Sequence, residues 1–132
     1  MQREFLVGGL VVALVGLLVW AVLEGRSESV DLQTAVREQG LQAEIESALK
    51  NAATAAETYA VDNNGSYEFA DESDLIAMGL QLPPNVAVAL LEMEESRYCI
   101  ILEQTRLTTD HPWRIASYAS DVGTPMADDG CP

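Results

Sequence analysis

Basic and redox-active residues are scarce in this chain. Of its 132 residues, seven are Lys or Arg against 21 Asp or Glu, one is His and two are Cys. The shortage of cations leaves a net charge of −14. Arg3 and Glu4 cancel each other, so that charge lies beyond the apolar start of the chain. A surface of this sign repels phosphate backbones and anionic lipid head groups, which argues against nucleic acid as a partner. The shortage of histidine leaves His111 alone in a loop before Pro112, where it reads as a surface residue. No nucleophile–base pair can be built around it. Glycine-rich phosphate loops, zinc-ligand spacings and haem motifs are also absent. These absences predict neither an enzyme nor a cofactor or metal protein. Cys99 and Cys131 are the only cysteines, with none left over, as expected of one bridge in an oxidising compartment. Two unrelated buried thiols are the alternative, for which Cys131 is poorly placed in a tail with little apolar content.

What the chain does have is a long apolar run. Phe5 to Leu23 reads FLVGGLVVALVGLLVWAVL, and 13 of these residues are Phe, Leu or Val. At about 1.5 Å per helical residue it just crosses a hydrocarbon core of about 30 Å. Phe5 and Leu6 open the run, and Gly8, Gly9 and Gly16 are residues common in membrane helices. Gly9 and Ala13 form a small-xxx-small pair suited to helix packing or to a lipid-facing surface. Trp20 fits an interfacial anchor near the outer end. A buried core helix is disfavoured because so short a chain rarely encloses a helix apolar on every side. A cleaved secretory signal is disfavoured because no small-x-small site precedes the polar sequence. The run is therefore expected to be a membrane anchor with its acidic partner domain outside the cytoplasm. The expected domains are residues 1–29, anchor and exit segment, and residues 30–132, the head with the second part of the helix.

Glu24 to Ser29 is a polar break. From about Val30 to Val61 the sequence is rich in Ala, Glu, Gln and Leu, has no proline, and stops at Asp62-Asn63-Asn64-Gly65. At 100° per residue Leu41, Ile45, Ala48, Leu49, Ala52, Ala55, Ala56 and Tyr59 share one face, and Glu46, Lys50, Thr54 and Glu57 the opposite one. Leu41, Ile45, Leu49, Ala52, Ala56 and Tyr59 are thus the expected helix–sheet contact. Leu32 and Val36 point elsewhere, with Gly40 between the two registers. An unbroken helix from Phe5 to Val61 would span about 85 Å, the shape of a long stalk with a small head. Asp71 is placed to cap a short helix over Glu72–Met78, and Pro83-Pro84 forces an extended turn. Strands are expected at Val86–Met93, Arg97–Gln104 and Pro112–Tyr118, as an antiparallel meander with one covered face. Asp121–Pro132 has little regular structure, and a Cys99–Cys131 bond would pin it to the middle strand. Asp121, Asp128 and Asp129 could hold calcium, but their spacing is not that of an EF-hand and solvated acids are the plainer reading. Asn64-Gly65-Ser66 matches a glycosylation sequon, a motif short enough to arise often by chance.

This order of elements resembles the type IV pilin and type II secretion pseudopilin superfamily, in particular bacterial major pilins with a short C-terminal disulfide loop. The likeness is carried by Leu49-Lys50-Asn51-Ala52-Ala53-Thr54-Ala55-Ala56-Glu57-Thr58-Tyr59 leading into Asp62-Asn63-Asn64-Gly65-Ser66-Tyr67. Leu75 through Leu80, Tyr98-Cys99-Ile100, Trp113 and Gly130-Cys131-Pro132 add to it. The implied fold class is α+β: a long N-terminal helix, membrane-spanning and then amphipathic, packed on a small three- to four-stranded antiparallel meander. The implied function is a structural subunit of a pilus-like or pseudopilus filament, its apolar helices bundled in the core. Implied partners are copies of itself, assembly machinery in the inner membrane, and membrane lipid before assembly. In the family a glutamate near the apolar start neutralises the amine of a neighbouring subunit and so sets the axial register. Glu4 is the one candidate here, with Met1 as the processed end and Arg3 beside it. The alternative is a bitopic protein that never polymerises and carries an acidic binding module outside the membrane.

Overall fold

In a computed structural model of the chain, the backbone is described for residues 2–131 and the side chains for residues 31–131. The helices are α1 (Gln2–Asp62) and α2 (Glu72–Ala77), and the strands β1 (Val86–Met93), β2 (Tyr98–Gln104), β3 (Ile115–Ala119) and β4 (Pro125–Met126). The four strands form one antiparallel sheet in chain order. The chain divides into two compact units, Met1–Arg37 and Glu38–Pro132. In the first, every side chain described, from residue 31 to 37, is exposed.

The expected fold class is corrected in its first part. Among the described residues no helix is long and apolar enough to cross a membrane. Between residues 31 and 62 charged side chains recur along α1, Arg37, Glu38, Glu44, Glu46, Lys50 and Glu57 among them. Each is costly in hydrocarbon, so this part of α1 is suited to a half-covered position on a protein core. What stands is a helix over residues 31–62 and a four-stranded antiparallel sheet. The membrane and filament-core reading of Phe5, Leu6, Gly8, Gly9, Ala13, Gly16 and Trp20 lies outside the residues whose side chains are described, and so does the register role of Glu4.

The second unit is built on one stripe of α1. Leu41, Ile45, Ala48, Leu49, Ala52, Ala55 and Ala56 are all buried, with Ala53 and Ala60 beside them. All of these but Leu41 and Ala60 pack with Leu75 of α2 and with Tyr98, Ile100 and Leu102 of β2 in a single core. Alanine leaves room for the strands to come close, while Ile45 and Leu49 fill the space between. Each large apolar side chain fully removed from water contributes about 1.5–3 kcal/mol.

β1 reaches the same core by a device that its sequence, VAVALLEM, does not announce. Val88 pairs with Leu102 and Leu90 with Ile101, so Ala89 is an extra, unpaired residue. This bulge shifts the alternation by one position. Val86 and Val88 face the core before it and Leu91 and Met93 after it, while Leu90 turns to solvent. β3 starts three residues later than the sequence suggests. Residues 108–114 are taken up by turns, His111 N–H bonding to Thr108 O and Arg114 N–H to His111 O, both at 3.0 Å. β4 lies in the tail, which was expected to lack regular structure.

Local chemistry fixes the helix ends. Asn64 and Gly65 adopt φ of 57° and 83°, and Gly65 N–H bonds back to Ala60 O at 2.7 Å, which closes α1. Asp71 accepts from Asp74 N–H, and Asp74 accepts in return from Asp71 N–H, a reciprocal cap for α2. Hydrogen bonds from the Ser73 hydroxyl and Asp74 N–H hold the Asp71 carboxyl below the ordinary carboxylate range. The segment after α2 is braced against α1 by Asn51. Its amide donates to Gly79 O at 3.3 Å and accepts from Gln81 N–H at 2.7 Å.

Leu49→Ala should lower the unfolding free energy of the head by about 2–5 kcal/mol, whereas Leu32→Ala should change it by less than about 0.5 kcal/mol. Denaturant midpoints of the two variants against the parent decide this. Equal losses would mean that the helix stripe is misassigned.

Candidate functional site

The second strand carries most of what could be functional in the head. Every residue of β2 is buried except Glu103, which is half-buried. A strand covered on both faces needs a layer on each side. One is α1. On the other face, Cys99 is joined to Cys131, with Cα atoms 5.6 Å apart across 32 positions of sequence. Ser117, which pairs with Ile101, is fully buried and donates its hydroxyl to Asp128 at 3.3 Å. Asp128 also accepts from Gly130 N–H at 3.0 Å, and Cys131 N–H bonds to Asp129 O at 2.8 Å. Residues 128–131 are thus fastened over β2 and β3 by one covalent bond and one carboxylate. A side chain at Gly130 would begin 2.6 Å from Asp128 Oδ1, so a larger residue there would displace the carboxylate from its bond with the backbone N–H of residue 130.

On the helix side, Glu57 gathers two tyrosines. Tyr67 OH donates to one carboxylate oxygen at 2.8 Å and Tyr98 OH to the other at 3.3 Å. The Tyr67 and Tyr98 rings meet edge to face at 4.8 Å, and Tyr98 lies parallel to Tyr118 at 6.3 Å. Burial, and after it the Glu57 charge, raise the Tyr98 hydroxyl well above the ordinary tyrosine range. Burial, and after it the hydrogen bond to Glu57, raises Tyr67 as well. Both hydroxyls are therefore donors at neutral pH rather than bases or nucleophiles, and the cluster clamps the loop after α1 to the sheet. Tyr59, expected on the buried stripe, is half-buried, and its hydroxyl donates to Glu68 O at 3.3 Å.

The opposite end of the sheet is held by Arg114. It donates to Glu103 at 2.8 Å, to Thr105 O at 3.3 Å and to Leu107 O. Gln104, fully buried, donates to Leu41 O at 3.5 Å and accepts from Arg106 N–H at 3.2 Å. His111 is not a free surface residue. Its Nδ1 accepts from Trp113 N–H at 3.2 Å, and its Nε2 lies 3.9 Å from Glu38. His111 and Arg114 border an open groove of about 350 Å³ with Asp128 and Asp129.

Sequence reading missed the Glu57 cluster because helical periodicity placed Glu57 on the solvent side. Only the length of a glutamate side chain lets it reach round to the tyrosines. It missed Gln104 and Ser117 because neither belongs to an apolar pattern. Asp121, Asp128 and Asp129 are all exposed, and among the described residues no group of three or more His, Cys, Asp or Glu could hold a metal ion. The buried side-chain nitrogens and oxygens that are described all have partners.

Cys99→Ser or Cys131→Ser should release the tail and lower stability by about 3–4 kcal/mol, from the loop-closure entropy returned to the unfolded chain. Intact mass with and without reductant, followed by thermal unfolding, measures both effects, and two free thiols in the native protein would contradict the bridge. A second expectation concerns alkali. Because the Tyr98 hydroxyl is raised in the folded state, its contribution is fully present below the unfolded tyrosine pKa of about 10 and is lost as pH rises beyond it. Unfolding followed from pH 8 to 12 should steepen above about 10, and Tyr98→Phe should flatten that limb. An unchanged alkaline limb in the variant would count against the clamp.

Compared with protein-family models, with curated proteins and with solved structures, the chain matches none.

Proposed function

We propose that this chain is a structural subunit of a type IV pilus-like or pseudopilus filament outside the cytoplasm, assembled with copies of itself through its apolar N-terminal part. The observation that carries the reading is the change of surface along α1. From residue 31 to 37 every side chain is exposed, Leu32 at 67% and Val36 at 68%. The sequence ahead of them is the apolar run from Phe5 to Leu23. From Leu41 to Ala56, by contrast, the apolar stripe is already covered by the chain's own sheet.

Apolar side chains left uncovered on one stretch of helix favour association there, while heads carrying the net charge of −14 repel one another and stay at the periphery. The Cys99–Cys131 bond supports a head in an oxidising compartment. The resemblance of residues 49–67 and of the closing Gly130-Cys131-Pro132 to pilins supports the kind of filament. Assembly machinery of the pilus or secretion type is the corresponding partner.

Material sheared from the surface of producing cells should contain this chain in fibres visible by electron microscopy. Replacing Leu32 and Val36 together by Asp should reduce fibre yield by about tenfold or more, since a carboxylate buried at a subunit contact costs well over 1.4 kcal/mol. Circular dichroism should show the head still folded. If the parent chain is found only as dispersed monomers, it is a non-polymerising accessory protein and the proposal fails.

A further inference from the structure

The turn that ends α1 also carries a modification motif, which neither the fold nor the filament reading requires. Asp62-Asn63-Asn64-Gly65-Ser66 places two asparagines side by side, and they are treated differently. Asn63 is tied down, its amide donating to Tyr59 O at 2.8 Å. The Asn64 side chain is exposed and makes no hydrogen bond among the described residues. Asn64 is also the one asparagine of the chain followed two residues later by a hydroxyl, that of Ser66. Asn51, Asn63 and Asn85 are followed at that position by Ala53, Gly65 and Ala87.

We propose that Asn64 is an N-glycosylation site, accepting an oligosaccharide from a lipid-linked diphosphate donor. The amide nitrogen of Asn64 attacks the anomeric carbon of the first sugar, and the N–C bond forms as the C–O bond to the diphosphate breaks. The lipid diphosphate leaves with the bonding pair, and the amide proton passes to a base of the transferring enzyme. The hydroxyl at the second position after the asparagine is the element such enzymes require. Asp62, also exposed, adds a negative charge two residues before the acceptor, which a cation of the enzyme can pair with.

The surroundings admit the sugar. The acceptor lies beyond the last residue of α1, in a turn whose residues 63–65 are all exposed. Apart from its two chain neighbours, nothing lies within 4 Å of the point where a side chain on Gly65 would begin. Three backbone bonds close the turn, Asn63 N–H and Gly65 N–H to Ala60 O at 3.1 and 2.7 Å and Ser66 N–H to Asn63 O at 3.1 Å. All belong to the end of a helix, where local opening is easiest and leaves the core intact. Transfer to this chain rests on the head being outside the cytoplasm, as in the filament reading, but not on assembly.

Peptide mass spectrometry of the full chain isolated from its own producing cells tests the site. A chymotryptic peptide containing Asn64 should carry a series of sugar-residue masses, absent in Asn64→Asp and in Ser66→Ala and kept in Asn63→Asp. Ser66→Ala keeps the backbone bonds of the turn and loses the hydroxyl that accepts from Glu68 N–H at 3.2 Å, so circular dichroism of the variant is read beside the sugar masses to show that the head is folded. An unmodified Asn64 peptide overturns the proposal, and so do sugar masses that persist in Asn64→Asp. The same digest reports the Cys99–Cys131 bond. Unmodified Asn64 beside an intact bridge removes the glycan and leaves the extracytoplasmic head standing, whereas unmodified Asn64 beside free thiols removes both.

Discussion

The head depends on one contact, the small-residue stripe of α1 against β2. Ile45, Leu49, Ala52 and Ala56 are at or near zero exposure, and so are Ile100 and Leu102 opposite them. Without that contact the sheet has no first layer, because a four-stranded sheet covered on neither face is not stable in water. Once α1 covers one face of β2, the apolar side chains on the other face, Cys99 and Ile101, need cover of their own. A tail of low apolar content cannot provide it by hydrophobic attraction. It is fastened instead, by Cys131 to Cys99 and by Asp128 to Ser117. The disulfide is therefore a consequence of how deeply β2 sits.

The parts of this arrangement that follow from side-chain periodicity were legible. A 3.6-residue repeat marks Leu41 through Ala56 without any knowledge of what covers them, and Tyr98-Cys99-Ile100-Ile101-Leu102 reads as a strand, but the single covered face expected of it is corrected, since both faces of β2 are buried. The parts that depend on geometry between elements were not. The bulge at Ala89 exists because β1 must bring both Val88 and Leu91 to the core, and nothing in VAVALLEM states which residue is skipped. The late start of β3 follows from turns around His111, one of whose bonds is made by a ring nitrogen. Glu57 reads as a solvent residue until the loop brings Tyr67 over it and the sheet brings Tyr98 beneath. The membrane-spanning fold was an inference from the residues ahead of the described side chains, and among those described nothing has that character.

The ligatures of the head divide by chemistry into two kinds. The helix-facing side of β2 and the Cys99–Cys131 bond are apolar or covalent and resist salt. Ion pairs sit elsewhere, Arg114 with Glu103 near the end of β2 and Arg97 with Glu94 before its start, in a protein whose acids outnumber its bases threefold. The exposed Arg97–Glu94 pair adds little to stability, and salt screens it. Screening also weakens repulsion between acidic heads, so rising ionic strength leaves the fold nearly unchanged and eases close approach of copies. In the proposed filament the folded state would be set by burial, and the spacing of heads by charge.

The central claim is that the uncovered apolar side chains of α1 are the assembly surface while the turn after α1 stays outside. Hydroxyl-radical footprinting of fibres against dispersed protein tests it most directly, reading Leu32 and Val36 beside Val61 and Phe69, which are exposed at 80% and 84%. The account predicts that oxidation of Leu32 and Val36 falls sharply on assembly while Val61 and Phe69 react as before. Undiminished oxidation of Leu32 and Val36 in fibres, or protection of Val61 and Phe69 in their place, would contradict it.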